Sequence, residues 1–154
     1  MTIDIRDPKW SFLRGHALGD DMTILFPAAG YLWLAWNVIA EKHGCDLMNF
    51  PVEFQSVNFR RMTVISDSAV VSLQLNILPH SGSFEIRENG ELVVDGKLKT
   101  LEDTQNNFVP VRVQNEPVEP LVLARTDFYK EMGLRGYKFS NEFRSISQID
   151  VSGK

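Results

Sequence analysis

The most uniform apolar stretch of the chain covers residues 28–40, where only Gly30 and Asn37 are not apolar and no residue is charged. Because a surface helix shows a polar face every 3.6 residues, this pattern predicts a helix of about four turns that is enclosed on nearly all sides. Pro27 suits its first turn, and Gly44 suits its C-terminal cap. The helix is too short to span a bilayer, so another layer of protein must cover it.

Alternating apolar and polar positions follow this helix and predict antiparallel strands. Residues 69–78 alternate most cleanly, with apolar side chains at the odd-numbered positions. Residues 52–65 also suit a strand, and the slip in their alternation between Phe54 and Val57 indicates a bulge. Upstream of the helix, residues 16–26 are expected to form a loop that leads into it.

The strongest short hairpin signal is Asn89-Gly90, which lies between the strand-like residues 83–88 and 91–101. A two-residue type I′ turn needs positive φ at both central positions, and this dipeptide tolerates it. A buried helix is thus followed by three or four antiparallel strands. The predicted fold class is α+β, with a long helix wrapped by a curved antiparallel sheet.

The chain changes character after residue 101. Three prolines fall among Asn and Gln within residues 102–120, which show no period and are interpreted as a linker. Beyond it, Thr126 is expected to cap a short helix that ends at Gly133, and a strand is expected from about residue 143 to 151. Because a segment of this length cannot bury a core of its own, the second domain is expected to be truncated. The predicted division is a domain at 1–101, a linker at 102–120 and the start of a second domain at 121–154.

Composition narrows the classes of function. The chain of 154 residues has a net charge of −4, which offers no basic surface for nucleic acid or for an anionic membrane. The N-terminus carries Asp4 and Asp7 and has no apolar segment of the kind found in signal peptides. The single cysteine, Cys45, fits a reducing compartment. The cytoplasm is therefore the expected location.

His16 is the leading candidate for chemistry. It lies between Gly15 and Gly19, just ahead of the predicted helix, and an imidazole can take and return a proton near neutral pH. The free N–H groups at a helix N-terminus can polarise a carbonyl oxygen. Together these features describe a site that removes a proton beside a carbonyl. The alternative is a histidine that is merely hydrogen-bonded within a loop.

The other titratable candidates have simpler interpretations. His43 lies in the last helical turn and His80 in a turn between strands, and the wide spacing of the three histidines predicts no zinc site. Asp20-Asp21 is either a carboxylate pair or a solvated loop segment. Arg60-Arg61 is either a surface pair or a contact for an acidic partner.

Several segments resemble the dehydratase domain of animal fatty acid synthases and related polyketide synthases. Residues 24–32, Ile-Leu-Phe-Pro-Ala-Ala-Gly-Tyr-Leu, are similar to the Leu-Phe-Pro-Ala-x-Gly-Tyr-Leu of that family. The resemblance covers nearly the whole chain. The further similar segments follow in the family's order at residues 50–54, 84–97, 119–124, 128–137 and Phe143.

The resemblance implies a double hotdog fold, in which each of two long helices is wrapped by a curved antiparallel sheet. Residues 1–101 would form the N-terminal hotdog and residues 121–154 the start of the second. The implied reaction removes water from a 3-hydroxyacyl thioester to give the trans-2-enoyl thioester in fatty acid biosynthesis. The thioester is carried on the phosphopantetheine of an acyl carrier protein, and no other cofactor or metal is implied. The parent is expected to be a homodimer that works with other synthase domains.

The resemblance also implies residue roles. His16 would abstract the α-proton, while an aspartate downstream of Lys154 would protonate the leaving hydroxyl, so the segment alone is expected to be inactive. The family motif places its histidine nine residues before the proline, whereas His16 lies eleven before Pro27. A two-residue insertion at Asp20-Asp21 would account for this. The residues implied in substrate binding are Gly19, Pro27, Ala28, Gly30, Tyr31 and Tyr137.

Two alternatives to an active dehydratase stay open at this point. The family's Gly-Tyr-x-Tyr-Gly-Pro-x-Phe reads Gly-Tyr-Lys-Phe-Ser-Asn-Glu-Phe at residues 136–143. This departure and the shifted His–Pro spacing are compatible with a degenerate, non-catalytic hotdog that has a structural or dimerisation role. The other alternative is a free-standing single hotdog that works as a homodimer, such as a thioesterase or an acyl-binding module.

Overall fold

The computed structural model describes residues 1–78, 80–100 and 122–151. The predicted linker at residues 102–120 lies outside these ranges, and so does Pro79. The strands are β1 (Thr2–Ile3), β2 (His16–Leu18), β3 (Thr23–Leu25), β4 (Val52–Phe59), β5 (Val64–Ile65), β6 (Val71–Leu78), β7 (Ser83–Glu88), β8 (Glu91–Thr100), β9 (Val122–Ala124), β10 (Tyr137–Phe139) and β11 (Gln148–Asp150). The helices are α1 (Ala28–Lys42) and α2 (Arg125–Leu134).

Helix α1 confirms the predicted central helix. Pro27 precedes it with an extended ψ of 146°, and the chain leaves the other end through Gly44 at a φ of 66°. That left-handed conformation favours glycine because a Cβ would be strained there. Helices in the described ranges include none that is long and apolar enough to cross a membrane.

The prediction that α1 is enclosed on nearly all sides is wrong on one face. Trp33 is 42% exposed and Val38 is 36% exposed, although neither is polar. The cause is that the helix packs against β6 and β8 of one sheet, which covers only one side of it. The side chains turned to that sheet and its surroundings are buried: Tyr31, Leu34, Ala35, Ile39 and Ala40.

The sheet under α1 is antiparallel and has the strand order β1-β6-β7-β8-β4. Asn89 and Gly90 join β7 to β8 with φ values of 52° and 85°, which confirms the predicted hairpin. The register of β4 against β8 shifts between Gln55 and Asn58, which confirms the predicted bulge. Five side chains of β6, β7 and β8 form the centre of the core: Leu73, Phe84, Ile86, Val93 and Val94.

A second sheet contradicts the predicted loop at residues 16–26. This segment contains the hairpin of β2 and β3, and the sheet has the order β10-β2-β3-β5. Strand β2 also pairs with β10, so that Phe139 lies opposite His16 and Tyr137 opposite Leu18. Strands of three residues are too short to show an alternating pattern, which is why the sequence did not reveal them.

The C-terminal segment differs from its prediction in detail. Helix α2 begins after Ala124 without a side-chain cap, so Thr126 lies inside the helix and the predicted cap is wrong. Gly133 also lies inside α2 rather than ending it. The strand expected from residue 143 is limited to β11, because residues 141–143 form a tight 3₁₀ turn. That turn carries Phe143 to the neighbourhood of His16.

Candidate active site

His16 is the first residue of β2, and three neighbours hold its ring. Its Nδ1 lies 2.9 Å from the carbonyl oxygen of Leu25. The ring centroids of Phe139 and Phe143 are 5.5 Å and 4.9 Å away. Because a carbonyl oxygen can only accept a hydrogen bond, Nδ1 is the donor in this contact, and in the neutral imidazole this leaves the lone pair on Nε2. A neutral imidazole held in this tautomer is equipped to act as a general base.

A cavity of about 190 Å³ lies beside His16. Ala28, the first residue of α1, also lines it. The first N–H groups of any helix have no acceptor within the helix, and together with the dipole they attract an oxygen that gains negative charge. The cavity thus brings a base and a helix N-terminus to one place. Its other lining residues are Leu25, Phe26, Tyr31, Phe59, Arg61 and Met62.

The first turn of α1 is fixed by the ring of Phe26, which packs over Gly30. A Cβ on Gly30 would lie only 2.6 Å from this ring, so no larger residue fits without moving it. The backbone N–H of Phe26 donates to the carbonyl oxygen of Thr63 at 2.9 Å. Gly30 in turn donates to the carbonyl oxygen of Pro27 at 2.9 Å. These contacts set the position of the helix N-terminus relative to His16.

A buried polar cluster adjoins the cavity. The hydroxyl of Thr63 donates to the Glu88 carboxylate at 2.9 Å, and the guanidinium of Arg61 lies 3.5 Å from the same oxygen. Burial raises the pKa of the Tyr31 phenol, against a smaller opposite effect of Thr63, which keeps the phenol neutral at physiological pH. Arg61 therefore lies beside the cavity, within ion-pair distance of a carboxylate that is itself buried.

The neighbouring Arg60 has a different environment. Its guanidinium lies 2.6 Å from the Asp95 carboxylate across the β4–β8 pair, and this hydrogen bond lowers the pKa of that carboxyl. Asn58 adds a second hydrogen bond to Asp95 at 3.0 Å. Of the arginine pair picked out in the sequence, only Arg61 lines the cavity.

The residues predicted to bind substrate fall into separate places around α1. Ala28 and Tyr31 share the cavity with His16. Pro27 and Gly30 instead line an apolar groove that Phe26 also lines. Their roles in binding stay predictions, and the structure brings only the first pair directly to the candidate base.

The two remaining predicted residues lie away from the cavity. Gly19 occupies the β2–β3 turn at a φ of 75°, and its N–H donates to the carbonyl oxygen of Gly136 at 2.8 Å. Tyr137 lies in β10 and lines a separate hollow beside α2, together with Met22. Gly19 therefore has a clear structural task, namely to hold the turn of β2 and β3 against the C-terminal segment.

The Asp20-Asp21 pair lies at the exposed tip of the β2–β3 turn. The ammonium of Lys138 is 3.2 Å from Asp20, and Asp21 accepts a hydrogen bond of 2.7 Å from Thr23, which lowers the pKa of its carboxyl. Among the residues that the structure describes, no group of His, Cys, Asp and Glu is arranged to hold a metal ion. A hairpin tip can take extra residues without moving the strands that it joins, but the two-residue insertion at Asp20-Asp21 stays a prediction.

The other two histidines occupy structural positions. His43 is the C-terminal cap of α1, and its ring lies 5.1 Å from that of Phe50. His80 is exposed in the turn between β6 and β7. Neither is near the cavity.

Sequence reasoning did not identify the aromatic partners of His16. Phe139 and Phe143 lie at the opposite end of the chain, and their contact with His16 depends on the pairing of β2 with β10. The one available signal was that both fall in residues 136–143, a segment that resembles a dehydratase motif. Phe59 and Met62 carried no signal at all.

Comparisons with known proteins place the chain in a structural class. No protein-family model matches it. Lovastatin nonaketide synthase mokA from Monascus pilosus is 26% identical over 171 residues that cover 94% of this chain. Highly reducing polyketide synthase apmlA from Arthrinium phaeospermum is 28% identical over 161 residues that cover 92% of it. The chain spans only 5% and 6% of the lengths of these two relatives.

Solved structures give the same answer for the fold. The dehydratase domain from the CurF module of curacin polyketide synthase matches with a TM-score of 0.73 at 22% identity, over 97% of this chain and 54% of that one. Two structures of the CurK dehydratase are of variants described as inactive, and each covers 96% of this chain. In one variant an aspartate is replaced by asparagine; its TM-score is 0.69 at 22% identity, over 53% of that chain. In the other a histidine is replaced by phenylalanine; its TM-score is 0.64 at 20% identity, over 51% of that chain.

The helix α1 packed on an antiparallel sheet is a hotdog fold. More particularly, the chain has the hotdog fold of polyketide synthase dehydratase domains and spans about half of such a domain. This confirms the fold class and the resemblance predicted from the sequence. The named relatives are polyketide synthases, so they support a resemblance to polyketide synthases rather than to fatty acid synthases.

Proposed function

We propose that this chain is the part of a polyketide synthase dehydratase that carries the catalytic base. The reaction removes water from a 3-hydroxyacyl thioester and leaves the trans-2-enoyl thioester. The observation that carries the proposal is the shared cavity of His16 and Ala28, because it joins an imidazole, held through Nδ1 by the Leu25 carbonyl oxygen, to a helix N-terminus. The likeness to polyketide synthase dehydratase domains supports the same reaction class.

In the proposed mechanism, Nε2 of His16 takes the proton from the α-carbon of the acyl chain. The electron pair of the broken C–H bond moves toward the thioester oxygen, where the N–H of Ala28 and the helix dipole stabilise the charge. The pair then forms the double bond to C3 while the C3–O bond breaks. The departing hydroxyl receives a proton and leaves as water.

The proton for the leaving hydroxyl comes from a second group. The described residues that line the His16 cavity include no carboxylate. We assign this role to an aspartate of a second hotdog, of which residues 121–154 form the start, with residues 102–120 as the linker from a first hotdog at 1–101. The inactive histidine and aspartate variants of the CurK dehydratase support a division of the reaction between two such residues.

The proposal includes how the substrate arrives. An acyl carrier protein within the same synthase would present the thioester on its phosphopantetheine arm, and the elimination needs no redox cofactor because the loss of water is no net oxidation or reduction. A homodimeric parent in the cytoplasm fits this arrangement. Whether the product is a polyketide or a fatty acid depends on the other domains of the parent.

The test is dehydration of a 3-hydroxyacyl N-acetylcysteamine thioester by the full-length protein. His16→Ala is expected to lower kcat/KM by about 10²–10⁴-fold, the usual contribution of a general base. His80→Ala is the matched control, because His80 is exposed in the β6–β7 turn, and it is expected to keep the wild-type rate. An unchanged rate in His16→Ala, with an unchanged melting temperature, would overturn the proposal.

A further inference from the structure

Phe26 is the one described residue that lines both the His16 cavity and the apolar groove beside it. The groove has a volume of about 460 Å³, and aromatic side chains form much of its wall, among them Trp10, Phe12, Trp33 and Phe143. Phe26 is 6% exposed and contributes to the lining of both spaces. Removal of its ring is expected to enlarge the room that the two spaces share.

The sizes of the two spaces differ in a way that matters for an acyl chain. Small-molecule sites usually measure about 300–1,000 Å³, so the His16 cavity of about 190 Å³ is smaller than a usual site. It suits the reacting end of a thioester but little of an alkyl tail. The groove of about 460 Å³ falls within the usual range and is apolar. Because Phe26 lines both spaces, the groove is the adjoining apolar space into which a longer acyl chain could extend.

The ring of Phe26 is locked in place. The ring occupies the space beside Gly30, where a Cβ would lie only 2.6 Å from it. The ring of Tyr31 packs edge-on against the ring of Phe26 at a centroid distance of 4.8 Å. The hydrogen bond from its backbone to Thr63 fixes the main chain on the other side. In a close-packed environment such a ring does not swing aside at low cost. It acts as a wall rather than as a flexible lid.

We propose that Phe26 determines the acyl-chain length that the site accepts. The thioester end occupies the His16 cavity, and the wall of Phe26 limits how far the alkyl tail extends toward the groove. This inference rests on the proposed function, because it takes the ligand of the cavity to be an acyl thioester. It adds a specificity-determining residue that takes no part in the proton transfer.

The test compares two substrates in the full-length protein: the N-acetylcysteamine thioesters of 3-hydroxybutyrate and 3-hydroxyoctanoate. Phe26→Ala is expected to raise the ratio of kcat/KM for the longer over the shorter substrate by at least about ten-fold, the lower range for discrimination by methylene groups in an apolar pocket. Phe26→Leu is expected to raise it less. A ratio that stays at the wild-type value in both variants would overturn the proposal.

Phe84→Leu is the matched control for loss of a buried aromatic ring. Phe84 is 1% exposed but lines neither space, so its variant is expected to lose stability and keep the wild-type ratio. Where Phe26→Ala fails to fold, Phe26→Leu decides the matter. A shift of similar size in Phe84→Leu would also contradict the proposal, because it would show a general effect of a loosened core.

A binding measurement separates this inference from the proposed reaction. Trp10 and Trp33 line the groove, so their fluorescence reports the binding of saturated butyryl and octanoyl thioesters without turnover. If His16→Ala keeps full activity while Phe26→Ala still shifts binding toward the octanoyl probe, the proposed reaction is wrong and the role of Phe26 stands. If His16→Ala is inactive and Phe26→Ala changes neither ratio, the role of Phe26 alone is wrong.

Discussion

The two larger sheets of this molecule have different tasks. The sheet under α1 provides most of the stability, and the sheet that contains β2 positions the candidate site. The sheet under α1 has strands of up to ten residues, and its strands β6, β7 and β8 are paired in the order in which they follow along the chain. The sheet that carries His16 has strands of two or three residues, and its strands β2 and β10 come from opposite ends of the chain. The surroundings of His16 are thus formed by residues that are distant in the sequence, and the larger sheet supports them.

Burial follows the same division. Leu73, Phe84 and Ile86 of the larger sheet are at most 1% exposed, and together with α1 they form the centre of the core. The smaller sheet buries Ala17 and Ile65 but leaves His16 half-buried at the cavity. Because apolar burial is the main source of folding free energy, the larger sheet should control unfolding. The smaller sheet should control the orientation of the imidazole.

The largest predicted effect on stability belongs to Phe84 in the larger sheet. Its ring packs edge-on against Phe54 at a centroid distance of 6.1 Å and fills the space over Gly96. Phe84→Ala is expected to lower the free energy of unfolding by about 3–5 kcal/mol, as measured by urea denaturation. The activity per folded molecule should stay near the wild-type value. A loss of stability below about 1 kcal/mol would break the division between the two sheets.

Replacement of Gly15, beside His16, is predicted to cost less stability and more activity than replacement of Phe84. A Cβ at Gly15 would lie 2.5 Å from the carbonyl oxygen of Ser140 and 3.1 Å from the Phe143 ring, so the C-terminal segment must shift. Gly15→Ala is expected to cost about 1–3 kcal/mol of stability. It should lower kcat/KM by about 10²-fold, because a catalytic group displaced by 1 Å loses that much.

Gly133→Ala is the control for the Gly15 variant. Gly133 lies inside α2, and a Cβ there meets nothing within 4 Å. Alanine favours a helix by up to about 1 kcal/mol over glycine, so this variant should be at least as stable as the wild type and fully active. Equal activities of the Gly15→Ala and Gly133→Ala variants would show that the C-terminal segment does not position His16.

The larger sheet could be predicted from the sequence because its signals are local. Asn89-Gly90 specifies its own turn, residues 69–78 show their alternation directly, and the slip near Phe54 marks the bulge. The hairpin of β2 and β3 escaped prediction because three residues give no period and because its partner β10 is distant in the sequence. Thr126 was wrongly expected to be a cap because a capping residue type does not by itself fix where a helix begins.

The site could be predicted only in part, for the same reason. His16 and the N-terminus of α1 are recognisable from residue chemistry and from their order in the chain. The tautomer of His16 depends on its contact with Leu25, and its aromatic neighbours arrive through β10 and the turn at residues 141–143. The place of Phe26 in the lining of two spaces depends on the packing of its ring over Gly30. Such facts arise from tertiary structure and leave no mark on a local pattern.

The most direct test of the central claim measures the exchange of α-hydrogens in D₂O. A saturated acyl thioester has no hydroxyl to lose, so exchange at its α-carbon isolates proton removal by His16 from the work of any acid. The full-length protein is expected to catalyse this exchange, and His16→Ala to slow it by about 10²-fold or more, while His80→Ala leaves it unchanged. Exchange at the wild-type rate in His16→Ala would contradict the claim that His16 and the N-terminus of α1 form the base site.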